Sequence, residues 1–553
     1  MTVLDYFQSN KVRDGDVAGG GRPDTHQRVS AVDSELGWRD HWQYCGAHSF
    51  GRVMAGHTAD RDRPCLDPAA MRPRRRLCRP LATAIVAIAH LFVGDIIHSD
   101  AAQDGKIPLP TVVVIGTERA IRDYPVGSAV PEALQAIATR RGTLERLDVR
   151  ALINREFEQY DQAYVAHKTQ RKQRLDALKR KLASSEQSGK LLACSRRMIS
   201  EAEWLLNYTA EWPRLDQQLA TAEQSLANED QDFALQQTWD GSWGACFNAW
   251  FEKLDATVDF LGGLDMLGEA RPAGLPYPFE ILRRIDSSEV LISYLYTLQL
   301  SRIAKTGVYR REEMNASEGA LSQLLLKGKL RALLQANGAS FIDDEYVDAY
   351  RRFLDDTQDP ILGYWGPWIM SEDKIIRTSD LSQTYHIVAY RKGAVEHWPQ
   401  IIETTLAIKD LPYPFGWRHN GQYSNHHNYD VVRILRLGWP HMTPAQMGRA
   451  RTEIRAMLNW ALSDSIHPDG RFRDDFGFAD SGEAYYYGVS FLAEIGYWNK
   501  ERRFWDDNLT NEADAEDLCR KIRSHLLRLP ANSIPARRAL ARLNQSCSID
   551  GPQ

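Results

Sequence analysis

The chain has 553 residues, 43% hydrophobic and 10% aromatic, enough to bury a large core and too many for one small domain. Its 68 basic and 73 acidic residues give a net charge of −5, so no overall basic field exists to attract nucleic acid, which is not expected as a partner. The seven cysteines show no CxxC or CxxH spacing, so no cysteine-held zinc or redox centre is expected, and no cofactor is implied elsewhere.

Residues 1–70 are rich in Gly, Asp, Arg and His and lack helical or strand periodicity, which predicts a disordered or non-native extension. Residues 71–102 have the parts of a signal peptide or anchor: Met71, the basic run Arg72 to Arg79, an apolar stretch from Leu81 to Gly94, then Ala101 and Ala102. That stretch is too short for a comfortable span, so a membrane is expected to be met only through this segment if it stays uncleaved. The mature protein is expected in the periplasm or secreted. Cys194, Cys246, Cys519 and Cys547 then allow up to two disulfides of unassigned pairing, with buried thiols as the alternative.

Residues 103–230 read as a helical-hairpin region. Pro110 to Gly116 could form a lone strand, and from Val130 to Leu226 the chain is dominated by strong helix formers. A charged run from His167 to Lys181, broken by Ala183 to Gly189, predicts a hairpin whose basic residues form a solvated face. Ser200 and Glu203 have the form of a capping box ahead of Trp204.

Near residue 230 the texture changes, and Trp, Tyr, Gly and Pro become frequent. Leu275 to Phe279 and Leu411 to Phe415 are the same LPYPF string, a trace of internal repetition or a shared turn. Three loops, Gly363 to Gly366, Asn420 to Tyr423 and Asp469 to Phe472, each precede an apolar helix headed by a tyrosine: Tyr385, Tyr429 and Tyr486. Return helices are predicted over 398–409 and 444–463. The fold class is therefore all-α: helical hairpins, then over 231–510 a ring of hairpins that is complete or open, then a helical tail over 511–553. This texture resembles the α/α toroid superfamily, whose inner helices begin at a rim around a cleft.

The richest chemistry lies between Tyr423 and Asp430, where Asn425, His426, His427, Asn428, Tyr429 and Asp430 open a helix. Ser and Asn there suit N-capping, but paired histidines need another reason. If the helix starts early enough, His426, Tyr429 and Asp430 share a face and present a base, an acid and a hydrogen-bonding group to one ligand. Asn425-His426-His427-Asn428-Tyr429 resembles the Asn-His-Tyr motif of alginate-lyase-type polysaccharide lyases, with Asp430 in place of the motif's Trp. The resemblance implies β-elimination on a uronic-acid polymer, with Asn425, His426 and Tyr429 catalytic and His427 and Asp430 binding. Trp365, Tyr385, Trp417 and Arg418 would hold the sugar, with Trp368 and Arg433 as further candidates. A glycoside hydrolase on the same scaffold would draw two opposed carboxylates from Asp380, Asp430, Asp469, Asp474, Asp475, Asp480 and Glu483. A non-catalytic glycan- or protein-binding scaffold is the third reading. No metal is expected, because HExxH is absent and adjacent histidines diverge on a helix.

Overall fold

The computed structural model describes residues 111–116, 130–138, 140–187, 192–228, 236–268, 275–473, 481–506, 512–530 and 533–547. The expected extension over 1–70, the expected signal peptide or anchor over 71–102 and the acids Asp474, Asp475 and Asp480 lie outside them. The described residues belong to one unit, Asp100–Gln553, with two apolar cores.

β1 (Thr111–Gly116), α1 (Val130–Ala138) and β2 (Thr143–Arg146) come first. α2 (Val149–Tyr160) is capped by Asp148, which accepts from the Ala151 amide at 2.9 Å. α3 (Tyr164–Gln187), α4 (Ala193–Tyr208) and α5 (Trp212–Asn228) then pack pairwise against one another. The region holds three such helices rather than one hairpin. Ser200 caps nothing, because α4 begins seven residues earlier at Ala193, yet Trp204, Leu205 and Leu206 are buried as an amphipathic helix requires. Cys194 on α4 is bonded to Cys246 in the loop after α5.

α6 (Trp250–Met266), α7 (Ser288–Gln299), β3 (Leu300–Ser301), α8 (Ile303–Thr306), α9 (Arg311–Leu326), α10 (Gly328–Ala336) and α11 (Asp344–Thr357) follow. The hairpin β4 (Trp368–Ser371) and β5 (Lys374–Arg377) leads to α12 (Leu381–Tyr390). The rest is helical: α13 (Trp398–Ala407), α14 (Asn425–Gly438), α15 (Pro444–Trp460), α16 (Ser481–Glu494), α17 (Glu512–Leu526) and α18 (Ile534–Ser546). The expected return helices are α13 and α15.

Most of the described chain is helical, but a five-stranded sheet in the order β2-β1-β5-β4-β3 corrects the all-α expectation. β1 is not a lone strand: it runs antiparallel to both β2 and β5. The sheet separates the two cores. Val113, Ile115, Trp368, Met370 and Ile375 enter the larger one, while Val112, Val114, Ile369 and Ile376 face the core built on α2 to α5. In β1, β4 and β5 burial on both sides favours apolar residues on both faces, whereas β2 at the edge is exposed along its whole length.

Six helices contact one another in cyclic order: α6 packs on α9, α9 on α12, α12 on α14, α14 on α16, α16 on α18, and α18 back on α6. Adjacent glycines let α6 approach both of its neighbours. A Cβ on Gly262 would meet Gln323 of α9 at 2.7 Å, and one on Gly263 would overlap the Ile534 methyl of α18. Arg311 of α9 is wholly buried and grips Asp380, the N-cap of α12, through bonds of 2.6 and 3.0 Å. The segment expected as a tail is helical. α17 packs on α18, Cys519 is bonded to Cys547, and α18 lies between α16 and α6.

Candidate functional site

Ser424 fixes the phase of α14 by accepting from the His427 amide at 3.2 Å, so the helix starts at Asn425. His426 and Asp430 are then one turn apart, with Nε2 and Oδ2 separated by 3.7 Å. His426 keeps 33% of its side chain exposed and stacks on Tyr487 of α16 at 4.1 Å between ring centres. His427, a third of a turn further round, is buried: it stacks on Tyr413 at 4.1 Å and its Nδ1 lies 3.1 Å from the Trp417 carbonyl. Only the first imidazole of the pair can meet a ligand.

Apart from that exposed part, the His426 ring is enclosed by protein. Burial, then His386 and His419, push its pKa down to about 3, so the ring is neutral at physiological pH. Asp430 behind it is fully buried, and neither oxygen has a hydrogen-bond partner. Burial, then Asp380, hold its carboxyl well above the ordinary carboxylate range. The two groups form a neutral acid and a neutral base at a separation too long for a hydrogen bond.

The neighbouring helices of the cycle add tyrosines and charge. Tyr385 of α12 packs on Tyr429 at 5.6 Å, and His386 beside it lies 5.9 Å from Tyr390. From α18, Arg538 donates to the Tyr486 hydroxyl at 2.8 Å, and Arg542 donates to that of Tyr429. α6 contributes Glu252, pushed up to about 8 by burial and by Glu312 and Glu201. Asp255 on the same helix is raised well above its ordinary range by burial, Asp259, Glu252, Glu312 and Glu483. Half-exposed side chains from α6, α12, α14, α16 and α18 thus gather into one polar cluster.

Burial corrects several expected ligand contacts. Trp365, Trp368 and Trp417 are sealed in the larger core, and Trp365 donates to the Leu354 carbonyl at 2.7 Å, so none of these rings can stack on a sugar. The binding roles expected for His427 and Asp430 fail for the same reason. Asn425 is buried with its Nδ2 on Ser465 at 2.9 Å, although its Oδ1 has no partner. Arg418 lies over Tyr423 and pairs with Asp410 at 3.1 Å, and Arg433 pairs with Glu494 at 2.8 Å. Among the rim acids, Asp380 is bound to Arg311, and Asp469 sits in a turn accepting from the Arg471 amide. Of the expected site, His426, Tyr385 and Tyr429 come together, but both tyrosines are buried, so the direct ligand contact expected of each is corrected as well.

Sequence reasoning missed Glu252, Asp255, Tyr487, Arg538 and Arg542. Tyr487 stood beside a recognised tyrosine. Arg538 and Arg542 are four residues apart on one face of α18, whose buried face is Ala536, Ala539 and Leu543. A hollow of about 590 Å³ on α3, lined by Gln162, Thr169, Gln170, Gln173 and small apolar residues, offers no titratable group. Among the described residues no helix is long and apolar enough to cross a membrane, and no group of three or more His, Cys, Asp or Glu is placed to hold a metal ion. The chain matches no protein-family model, no curated protein and no solved structure.

Proposed function

We propose that the ring of six helices is an α/α toroid whose recess binds an acidic polysaccharide and cleaves it by β-elimination. The observation that carries this reading is the accessible His426 imidazole stacked on Tyr487, with Tyr429 and two arginines nearby. Elimination from a uronic acid needs a cation to hold the developing charge, an unprotonated base and an acid for the leaving oxygen. In this reading neutral His426 takes the proton from the carbon beside the carboxylate. The electron pair of the C–H bond forms the new double bond, the C–O bond to the departing sugar breaks, and Tyr487 returns a proton to that oxygen. Tyr429 and Asn425 position these groups from behind.

Hydrolysis is the second reading, favoured by the half-exposed Asp255 on α6, whose carboxyl is raised by its surroundings and by neighbouring acids that include Glu483 on α16. A protonated acid opposite a second carboxylate is what a glycosidase requires. Glu252, Asp255 and Asp259 alone would not suffice, since all three lie on one helix.

Incubation with acidic and neutral polysaccharides separates the readings. Elimination produces ultraviolet absorbance from new double bonds and falls about a hundredfold in His426→Ala; hydrolysis produces reducing ends without absorbance and depends on Asp255. Binding without either product leaves a non-catalytic scaffold. The two disulfides favour an oxidising compartment, and we place the protein in the periplasm or outside the cell. Thiol labelling of protein recovered from the periplasm or medium, with no reaction at these four cysteines until reduction, is the expected result.

A further inference from the structure

Two arginines of α18 carry hydrogen-bonding capacity that the protein does not satisfy. Arg538 Nε and Arg542 Nη1 are buried without a partner, although each guanidinium makes another bond to a tyrosine hydroxyl. A buried donor on a charged group is costly to leave unpaired, and a planar fork is suited to the two oxygens of a carboxylate or sulfate.

Counter-charge nearby is sparse. Asp259 lies 3.9 Å from Arg538 Nη1, but its side chain is 69% exposed and screened by water. Arg542 senses Glu494, yet that carboxylate already holds Arg433 at 2.8 Å and Arg436 at 2.9 Å. Lys327 adds a third cation at the end of α9, over the Tyr390 ring at 5.0 Å and close enough to Arg538 for mutual repulsion to help lower its pKa. Arg538 lies over Tyr486 at 4.3 Å and Arg542 over Tyr429 at 5.3 Å, so tyrosine faces support both guanidinium planes.

We infer that Arg538 and Arg542, with Lys327 beside them, form an anion site that takes the carboxylate or sulfate ester of a sugar, so that α18 supplies substrate recognition. The inference rests on the proposed function for the identity of the ligand, and on the unpaired guanidinium atoms for the binding of an anion.

Calorimetric titration of the full chain with glucuronate, glucose 6-sulfate and glucose at fixed ionic strength tests it. One or both anionic sugars are expected to bind and glucose is not; the tighter of the two identifies the carboxylate or the sulfate as the group recognised. Arg538→Gln and Arg542→Gln should each weaken binding at least tenfold, while Arg283→Gln, at an exposed position, leaves it unchanged. Should a Gln variant fail to fold, Arg→Lys at the same position keeps the charge, removes the fork, and is expected to weaken binding as well. Glucuronate bound without any polymer being cleaved supports the anion site and defeats the elimination reading. Unchanged binding of glucuronate and of glucose 6-sulfate by both Arg538→Gln and Arg542→Gln, or equal binding of all three sugars, overturns the anion site.

Discussion

Between α3 and α5, Arg171 grips Asp216 through bonds of 3.0 and 2.7 Å and Arg174 grips Glu223 at 2.6 and 2.7 Å, whereas inside the ring Asp430, Arg538 and Arg542 keep polar atoms unpaired. The first set lies at the surface, where each pair completes its geometry and water screens what remains. The second lies where burial makes every unmatched charge expensive. A protein tolerates such a cost where a ligand can relieve it, so the contrast separates scaffold from candidate site better than the number of charged residues does.

The contrast can be broken most severely at the buried pair. Arg311→Met leaves Asp380 enclosed without its partner and is expected to cost about 3–5 kcal/mol in urea denaturation, whereas Arg174→Met at the surface should cost under about 1 kcal/mol. Equal costs would mean that the two regions handle charge alike. Next come the paired histidines. His426→Ala is expected to lower cleavage by about a hundredfold with little change in melting temperature, and His427→Ala to destabilise by about 1–3 kcal/mol through loss of its packing on Tyr413. Gly263→Val should cost about 1–3 kcal/mol by overpacking against Ile534, followed by melting temperature and by weakened ligand binding as α6 and α18 separate.

The smallest effect is on the pH profile. Burial, opposed by the Gln383 hydrogen bond, raises Glu318 from 4.5 to about 8. The folded state therefore keeps a proton that the unfolded chain has released, so this group's stabilisation is full below about pH 4.5 and is lost as pH rises to 8. His426, lowered from 6.5 to about 3, acts the other way: its stabilisation is full above 6.5 and is lost as pH falls toward 3. Denaturation from pH 4 to 9 should show a fall in stability between about pH 4.5 and 8 that levels off above 8 and that Glu318→Gln flattens; an unchanged slope would remove Glu318 from the account.

Much of the helical pattern was legible because amphipathic periods and caps are local. The predicted spans of α13 and α15 agree with the structure to within a few residues, and Ser424 behaves as its residue type predicts. The capping box that the chain uses is Thr443 with Gln446, not Ser200 with Glu203. The sheet was hidden for two physical reasons. Burial on both faces removes the alternation that marks a strand, and the β4–β5 turn is Glu372-Asp373, with Glu372 at positive φ, so no Asn-Gly or Gly signal appears. At the candidate site, residue types alone drew attention to the His426 cluster. Which imidazole stays partly exposed depends on helix phase, and the arginines that complete the cluster come from a helix more than a hundred residues downstream by chain numbering.

The meeting of α6 and α18 sets the timing of assembly. The ribosome makes α18 after every other member of the ring, and its two neighbours cannot bury their facing sides until it arrives. Under the proposed reading, ligand recognition then waits for α18: a nascent chain that stalls before Ile534 carries His426 but neither Arg538 nor Arg542 of the inferred anion site.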